Sequence, residues 1–321
     1  TGTAKDVGFK AEDKTATRGA GGKVLNVMAD RYLNLVGGSA DLSGPNKTQL
    51  KNGGGIYSEN NRIGRTVEFG IREFAMSALC SGISLHGGLR PFCATFLVFS
   101  DYMRAQIRLA SLMKQPVIYI FTHDSIYVGE DGPTHQPIET LTALRAIPGV
   151  QVLRPGDAQE TEAAWEEAIE ANDHPVCIIL TRQDLQGYEK ADKDWKNTVK
   201  CGAYIAKDCE GTPDVTVLAS GSEVSMAIAA ASKVPQKKIR VVSVMDVKLF
   251  ANLDASAREK LTGSGVRIVT AEAGIGMEWL QFVKDKRDVF SIERFGESGP
   301  AEKVAEHLGF TAEKLAEVLK C

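Results

Sequence analysis

Short apolar runs alternate with helix-like segments along both halves of the chain, and this alternation limits the folds that the sequence can adopt. In the first half, "PVIYIF", "VQVLRP" and "VCIILT" are strand-like, whereas "REFAMSALCSGISLHGG", "FSDYMRAQIRLASLMK" and "DAQETEAAWEEAIEAN" follow a helical pattern. In the second half, "VTVLAS", "IRVVSV", "VRIVTAE" and "VFSIERF" are separated by helix candidates that begin near Ser222, Met277 and Pro300. The pattern predicts an α/β protein with two open, mostly parallel sheets flanked by helices.

The length and one charged segment predict where the domains lie. A chain of 321 residues suits two domains of ordinary size. The polar, glycine-rich start indicates a tail over residues 1–18, and the charged segment "QGYEKADKDWKN" indicates a linker over residues 188–199. We therefore expect one domain over residues 19–187 and a second over residues 200–321.

The charge balance and the cysteines limit the partners and the compartment. The 38 Lys and Arg residues against 41 Asp and Glu residues give a net charge of -3, which excludes a strong basic footprint for nucleic acid or for anionic membranes. The apolar runs are far shorter than the roughly 20 residues of a membrane span. The six cysteines form no CxxC pair, as is typical of reduced thiols in the cytoplasm. The chain starts at Thr1 rather than at Met, so a plastid location after removal of a transit peptide stays open.

The stretch "THDSIYVGEDGPTHQP" concentrates polar and turn-forming residues directly after the strand-like run "PVIYIF". Ligands of open parallel sheets collect beyond the carboxyl ends of the strands, where this loop is expected. A zinc site is disfavoured because close metal-ligand pairs and cysteine partners are absent from the pattern. His123 and His135 can donate to hydroxyl or phosphate oxygens, and Asp131 can accept from a hydroxyl. The loop is therefore either a surface turn or a site that recognises a sugar.

Two further patterns allow a structural or a functional interpretation. Glu73 begins an otherwise apolar helix, where it can balance the helix dipole, pair with Arg72, or act as a buried carboxyl that shares a proton with a heterocyclic base. Phe96, Phe99 and Tyr102 are spaced by three, and such an aromatic face is more often core than cofactor pocket.

Two single arginines lie in loops at the expected domain edges. Arg18 and Arg182 are either ordinary surface cations or phosphate ligands, for which the guanidinium group is well suited. Neither position decides between the two on its own.

Taken together, several stretches resemble the transketolase family. The resemblance rests on "ATRGAGGKVL", "GGSADLS", "GIREFAM", "GISLHGG", "THDSIYVGEDGPTHQPIETLTALRAIP", "LTRQDL", "ASGSEV" and "FGESGPAE". The long loop is the most specific of these, since related thiamine enzymes carry different sequences there. The resemblance implies that residues 19–187 form a pyrimidine-binding domain and that residues 200–321 form the C-terminal domain of that family.

The resemblance also implies a cofactor, thiamine diphosphate, and a set of residues that bind it. Glu73 would hydrogen-bond the aminopyrimidine ring, and the aromatic face would surround that ring rather than fill the core. The implied cofactor contacts are Asp41, Leu42, Glu73, Phe96, Phe99 and Tyr102. With sugar phosphates as substrates, the implied substrate contacts are Arg18, Ser43, His123, Asp131, His135 and Arg182. Of these residues, Glu73 and His135 are expected to be catalytic.

Two positions depart from the family pattern. Pro45 stands where the family often has a phosphate-binding serine, and it offers neither a hydroxyl nor an N–H group. We expect Ser43 to replace that contact or phosphate to bind more weakly. Asp184 stands where asparagine is usual, and its charge near Arg182 is expected to compete modestly with phosphate.

The resemblance covers only part of a transketolase, whose N-terminal domain binds the diphosphate through Mg²⁺ or Ca²⁺. The chain is therefore expected to be a fragment or the second subunit of a split enzyme, the start without Met slightly favouring the fragment. It would pair with a diphosphate-binding domain in a homodimer or heterotetramer, and it would be inactive alone. The implied reaction is the transfer of a two-carbon ketol unit in the pentose phosphate pathway. Alternatives are a beta-type subunit of a 2-oxo acid dehydrogenase-like enzyme, a 1-deoxyxylulose 5-phosphate synthase-like enzyme, or a non-catalytic dimerisation module.

Overall fold

The computed structural model describes residues 7–321, and its first domain is built around a parallel β-sheet. The strands of this domain are β1 Lys14–Ala16, β2 Leu35–Ser39, β3 Thr66–Glu68, β4 Arg90–Phe96, β5 Ile118–Thr122, β6 Gln151–Leu153, β7 Val176–Ile179 and β8 Asp184–Gln186. Its helices are α1 Thr17–Arg31, α2 Ser43–Asn46, α3 Glu73–His86, α4 Ser100–Leu112, α5 Thr140–Arg145 and α6 Ala158–Glu170, with 3₁₀ turns at Leu97–Phe99 and Ile126–Asp131. Residues 1–6 of the expected tail lie outside the described residues.

Within residues 7–321, six of these strands pair in the order β3-β2-β4-β5-β7-β6, and every neighbouring pair is parallel. One apolar cluster joins the sheet to α1 and α6, and a second joins its other face to α3, α4 and α5. Because both faces of the sheet are covered, β5 and β7 are buried throughout, and this burial explains their continuous apolar sequences.

The second domain has a mixed sheet with one antiparallel edge. Its strands are β9 Ala203–Lys207, β10 Val215–Ala219, β11 Ile239–Val244, β12 Arg267–Ala271 and β13 Val289–Phe290. Among the described residues they pair in the order β13-β12-β10-β11-β9, and only β9 runs antiparallel. The helices of this half are α7 Trp195–Thr198, α8 Glu223–Ser232, α9 Val247–Ala251, α10 Ala255–Thr262, α11 Ala301–Leu308 and α12 Ala312–Lys320, with 3₁₀ turns at Val199–Cys201, Met277–Gln281 and Lys286–Asp288. The predicted α/β fold with two sheets is confirmed.

The glycine-rich start of the chain forms regular secondary structure from about residue 14 onward, rather than a tail. β1 pairs antiparallel with β8, and α1 begins at Thr17, inside the stretch that the sequence indicates as a tail. The glycines serve close packing, because a Cβ atom at Gly21 would lie 2.9 Å from the Leu180 side chain, and one at Gly22 would lie 2.7 Å from the Lys47 Cβ. The glycine content alone therefore predicts a tail where the structure has the start of a helix.

The charged segment over residues 188–199 is anchored to the first domain. Tyr188 and Lys190 are buried, and the Tyr188 hydroxyl donates to Glu160 Oε1 at 2.5 Å. The ammonium group of Lys190 contacts Asp157, the residue that also caps α6 by accepting from the Glu160 N–H at 2.9 Å. Polar and charged side chains make these contacts, so the hydrophobic periodicity of the sequence does not predict them. The domain boundaries stay predictions.

Helix α3 differs from the buried helix that its apolar sequence indicates. Phe74, Leu79 and Leu85 are each more than half exposed, while Met76 and Cys80 are fully buried. One face of the helix packs on the sheet and the opposite face, also apolar, is open to solvent. A contiguous exposed apolar face is typical of a protein–protein contact.

Candidate active site

The carboxyl ends of five parallel strands bring most of the predicted site residues to one edge of the first sheet. In order of the strands that precede them, these residues are Asp41, Leu42 and Ser43 after β2, Glu73 after β3, Phe96 and Phe99 at the end of β4, His123 after β5 and Arg182 after β7. Because parallel strands end at a common edge, a chain with this topology collects ligand groups there.

Two phenyl rings and two imidazoles form the centre of this edge. The rings of Phe96 and His123 are stacked, with centroids 3.6 Å apart. His135 meets Phe99 edge to face at 5.4 Å and lies 6.2 Å from Phe96. The two phenyl rings are themselves nearly parallel at 5.8 Å. The loop that carries both histidines is thus folded back onto the end of β4, as the sequence interpretation requires.

Tyr102 is the outer member of the predicted aromatic face. Its ring lies 6.1 Å from that of Phe99, but its side chain is 68% exposed. The spacing by three therefore crosses three kinds of structure, since Phe96 ends a strand, Phe99 lies in a 3₁₀ turn and Tyr102 lies in α4. The exposed Tyr102 ring leaves this group of aromatic side chains open on one side, to a ligand or to another protein subunit.

His123 is buried and held as a neutral acceptor. The guanidinium of Arg18 donates from Nη1 to Nε2 of His123 at 3.3 Å, so the proton of the neutral ring lies on Nδ1. Nδ1 then donates to Thr122 Oγ1 at 2.7 Å, and that hydroxyl donates to Asn46 Oδ1 at 2.6 Å. Burial, together with the charges of Arg18 and Arg182, lowers the pKa of His123 from 6.5 to about 3.

Positive charge is concentrated beside this histidine. Arg18 is half-buried, and its burial and the charge of Arg182 lower its pKa, whereas the Asp184 carboxylate acts in the opposite direction. The Nη1 group of Arg18 also donates to the Pro45 carbonyl at 3.2 Å. Two guanidinium groups that share a small region create a place where an anion is favoured.

The two departures from the family pattern have structural roles in this neighbourhood. Pro45 holds Arg18 through its carbonyl oxygen, which any residue at that position would provide. Asp184 accepts from the Ala16 N–H at 2.9 Å through Oδ1 and so fixes the short β1–β8 pair. Asn at position 184 would keep that acceptor and remove the charge.

Glu73 is the first residue of α3 and is 9% exposed. The adjacent Arg72 turns away from it, donating to the Phe69 carbonyl at 3.1 Å, which argues against the interpretation of Glu73 as its ion-pair partner. A carboxylate at the first turn of a helix is stabilised by the helix dipole. Glu73 therefore lies, largely buried, after the carboxyl end of β3 at the edge of the sheet that carries the other predicted residues.

The remaining predicted residues are more open. Asp41 is exposed and adopts a positive φ of 59°, which turns the chain sharply after β2, while Leu42 and Ser43 are half-buried. Asp131 is exposed in the loop, and His135 is half-buried with its Nδ1 2.8 Å from the Thr134 hydroxyl. Exposed side chains at this edge are available to a ligand without rearrangement of the core.

Sequence reasoning missed three buried polar residues that support the site. Asn46 and Thr122 form the relay behind His123, and Asp124 ties the next residue of the loop to Arg154 with two contacts of 3.0 and 2.8 Å. The one available signal was their position, since each lies within three residues of a predicted site residue at the end of a strand.

Neither a metal centre nor a membrane span appears in the described part of the chain. No group of three or more His, Cys, Asp and Glu side chains within residues 7–321 is arranged to hold a metal ion. None of the helices described there combines the length and the apolar character that crossing a bilayer demands.

Comparisons with known proteins identify the family of both domains. Residues 13–187 match the family model described as transketolase, pyrimidine binding domain, and residues 202–311 match the transketolase-like TK C-terminal domain. The transketolase of Treponema pallidum is 49% identical over 312 residues, which are 97% of this chain and 47% of that protein. The chain spans about half the length of the curated relatives it matches.

Solved structures of transketolases have the same fold as this chain. The transketolase of Campylobacter jejuni superposes with a TM-score of 0.89 at 39% identity, over 99% of this chain and 48% of that one. A split-gene transketolase, solved as an inactive beta4 tetramer, has a TM-score of 0.72 at 26% identity and matches 96% of this chain and 98% of its own. The predicted resemblance is confirmed: the chain belongs to the transketolase family and comprises its pyrimidine-binding and C-terminal domains.

Proposed function

We propose that this chain supplies the pyrimidine-side half of a transketolase active site, which transfers a two-carbon ketol unit from a ketose phosphate to an aldose phosphate. The observation that carries the proposal is the carboxyl edge of the first sheet. There the stacked rings of Phe96 and His123 lie beside Arg18, the charge of Arg182 acts on the same imidazole, and the largely buried Glu73 begins α3 after β3 at the same edge of the sheet. Such a reaction needs a carboxyl group that contacts a heterocycle, aromatic rings that pack on its faces, and cations that bind a phosphate.

The residues of this edge fit thiamine diphosphate, the cofactor that the family implies. Asp41, Leu42, Glu73, Phe96, Phe99 and Tyr102 would hold its pyrimidine ring. The half-buried Phe99 and the exposed Tyr102 leave aromatic surface free for a planar ring, which aromatic side chains favour by stacking. When bound, the cofactor supplies the electron sink for breaking and forming the carbon–carbon bond. Glu73 would hold a proton on the aminopyrimidine ring.

The substrate phosphate would bind among the arginines, and the sugar hydroxyls along the loop. The proposed phosphate ligands are Arg18, His123 and Arg182, with Ser43 nearby, and the proposed hydroxyl contacts are Asp131 and His135. His123 accepts from Arg18 in the free chain, so to donate from Nε2 to a phosphate oxygen it must release Arg18 and either move its proton from Nδ1 to Nε2 or take up a second proton. A dianionic phosphate favours that uptake because it offsets the two guanidinium charges that lower the pKa of His123.

The remaining half of the site requires a partner. The diphosphate and its divalent metal, Mg²⁺ or Ca²⁺, would be bound by a diphosphate-binding domain or subunit, in a homodimer or a heterotetramer. Support comes from the exposed apolar face of α3, where Phe74 is 52% exposed and Leu79 is 56% exposed, directly beyond Glu73. The split-gene relative, of which 98% is matched by this chain, is inactive as a beta4 tetramer, which agrees with a chain that needs its other half.

Reconstitution tests this function. The purified chain is mixed with a diphosphate-binding half from a transketolase, thiamine diphosphate and Mg²⁺, and turnover of xylulose 5-phosphate with ribose 5-phosphate is measured. We expect turnover in the mixture and none with either part alone. Decarboxylation of a 2-oxo acid by the mixture, without ketol transfer, would favour the alternative thiamine-enzyme reactions. Neither reaction nor cofactor binding would favour a non-catalytic module.

A further inference from the structure

A fully buried arginine joins the two domains behind the proposed sugar-phosphate loop. Arg154 follows β6 of the first domain and donates from Nε and Nη2 to Asp124 Oδ2 at 3.0 and 2.8 Å. Its Nη1 donates to Glu223 Oε2 at 2.5 Å and to the Ser220 carbonyl at 2.7 Å, both in the second domain. The guanidinium is therefore shared between the loop and the C-terminal domain.

The turn of the second domain that receives Arg154 is shaped around its side chain. Residues 220–223 follow β10, and Gly221 has a φ of 59°. A Cβ atom at Gly221 would lie 2.6 Å from the Nε atom of Arg154, so the backbone approaches the guanidinium too closely for any other residue. The carboxyl end of a central parallel strand is where such a sheet holds a ligand. In this domain an arginine of the other domain occupies that position.

The other partner of Arg154 is the residue that follows His123. The backbone of His123 has a φ of 60°, a conformation that costs free energy for a residue other than glycine and persists where its surroundings hold it. Asp124 is held on one carboxylate oxygen by Arg154, while its other oxygen accepts from the Ser125 hydroxyl at 3.3 Å. The chain is thus fixed immediately after the strained residue, with the imidazole on Phe96.

The distal part of the same loop is also bound to the second domain. Gln136 donates from Nε2 to the Gly129 carbonyl of the loop and to the Glu297 carbonyl of the second domain, both at 2.9 Å. A Cβ atom at Gly132 would lie 2.1 Å from the Ser298 hydroxyl oxygen, so loop and domain are in close contact there. Residues 123–136 are therefore positioned from both ends by the C-terminal domain.

We propose that Arg154 is a positioning residue of the sugar-phosphate site, through which the C-terminal domain holds Asp124 and thereby aims His123 at the phosphate. What the loop binds rests on the proposed function, whereas the contact between the domains does not. Arg154 touches no substrate group itself. Its effect on binding must pass through the backbone of residues 123–125.

A matched pair of substitutions tests this assignment in the assembled enzyme. Arg154→Lys keeps the charge and loses the two-pronged contact with Asp124. Arg145→Lys is the control, because Arg145 lies in the same buried cluster but donates to Glu272 at 2.8 and 2.9 Å rather than to the loop. We expect Arg154→Lys to raise KM for the phosphorylated donor about tenfold with kcat within about threefold, and Arg145→Lys to change neither. Equal KM effects of the two variants would overturn the proposal.

A double-variant cycle separates positioning from general loss of structure. If Arg154 acts through His123, Arg154→Lys has little further effect on KM once His123→Ala is present. Two effects that multiply would show that Arg154 does not act through this histidine. Should Arg154→Lys fail to fold, Asp124→Asn removes the charge on the loop side and carries the same expectations.

Amide hydrogen exchange of the isolated chain gives a reading that does not depend on turnover. Arg154→Lys or Asp124→Asn should speed exchange in the peptide covering residues 123–136 at least about tenfold, and Arg145→Lys should not. Unchanged exchange in this peptide contradicts the proposal even in an active enzyme. Faster exchange together with an assembled wild type that does not act on sugar phosphates would contradict the proposed function and leave the positioning contact standing.

Discussion

The imidazole of His123 lies on the phenyl ring of Phe96, with the two planes 28° apart and the centroids separated by 3.6 Å. This contact joins the ends of two neighbouring strands, β4 and β5, and places the loop histidine beside the aromatic wall. Since Arg18 approaches the same imidazole from its edge, one small cluster connects the proposed cofactor pocket with the proposed phosphate site.

Phe96→Leu is expected to weaken this connection. The variant removes the ring beneath His123, so the free energy of unfolding should fall by about 1–3 kcal/mol and KM for the phosphorylated donor should rise. Phe121→Leu is the matched control, because Phe121 is fully buried at the end of β5 but faces the apolar cluster with Tyr119. It should lose similar stability without a change in KM. The measurements are denaturant unfolding and steady-state kinetics of the assembled enzyme, and equal KM values for Phe96→Leu and wild type would contradict the expectation.

His123 should make the stability of the chain depend on pH. Its pKa is about 3 when folded and about 6.5 when unfolded, so between these values the unfolded chain binds a proton that the folded chain does not. The free energy of unfolding then decreases as pH falls below 6.5, by up to about 1.4 kcal/mol per pH unit from this group, and the contribution is constant above pH 6.5.

The comparison that isolates this effect is His123→Gln against wild type at pH 7.5, 6.0 and 5.0. The stability of wild type relative to His123→Gln should decline as the pH falls. Phe121→Leu serves as the control, since it removes no titratable group and should give a constant difference. A constant difference for His123→Gln as well would show that the folded imidazole takes up its proton as freely as the unfolded one.

Pro45→Ser should strengthen phosphate binding. Serine keeps the carbonyl that accepts from Arg18 and adds a hydroxyl and an N–H group, each able to donate. One new hydrogen bond of about 0.5–1.5 kcal/mol corresponds to a KM roughly 2- to 10-fold lower for the phosphorylated donor. An unphosphorylated ketose is the control substrate, and its KM should not move. An equal gain with both substrates would place the effect away from the phosphate.

Leu79→Glu should prevent assembly with the diphosphate-binding half. Leu79 is 56% exposed on α3, so the charge should cost less than about 0.5 kcal/mol in the isolated chain but be buried unpaired in a contact over this face. Leu33→Glu, at a position that is 74% exposed between α1 and β2, is the control. Sedimentation and turnover of the mixture would report assembly. Normal assembly by Leu79→Glu would exclude this face as the contact.

The sheets were accessible from the sequence because apolar runs are local signals, whereas most of the candidate site residues were implied by the resemblance to the transketolase family, and their roles stay predictions. Asp157 as a helix cap and the loop after β5 both lie where the pattern places them. The Arg154 contact was not accessible, since its partners Asp124 and Glu223 lie 30 and 69 positions away along the chain. The start of α1 was missed because its glycines are selected by close approach to neighbouring side chains, which no local pattern records. Polar contacts between residues far apart along the chain are thus the part of the structure that the sequence does not predict.

The measurement that bears most directly on the proposed role of this chain is the turnover of a Glu73→Gln variant in the assembled enzyme, with cofactor binding followed in parallel. Glutamine keeps the size of the side chain but can neither take up nor release a proton, so thiamine diphosphate should still bind while kcat falls at least about 100-fold. A Glu73→Gln enzyme that turns over sugar phosphates within about threefold of wild type would contradict the assignment of Glu73 as the acid of the cofactor site.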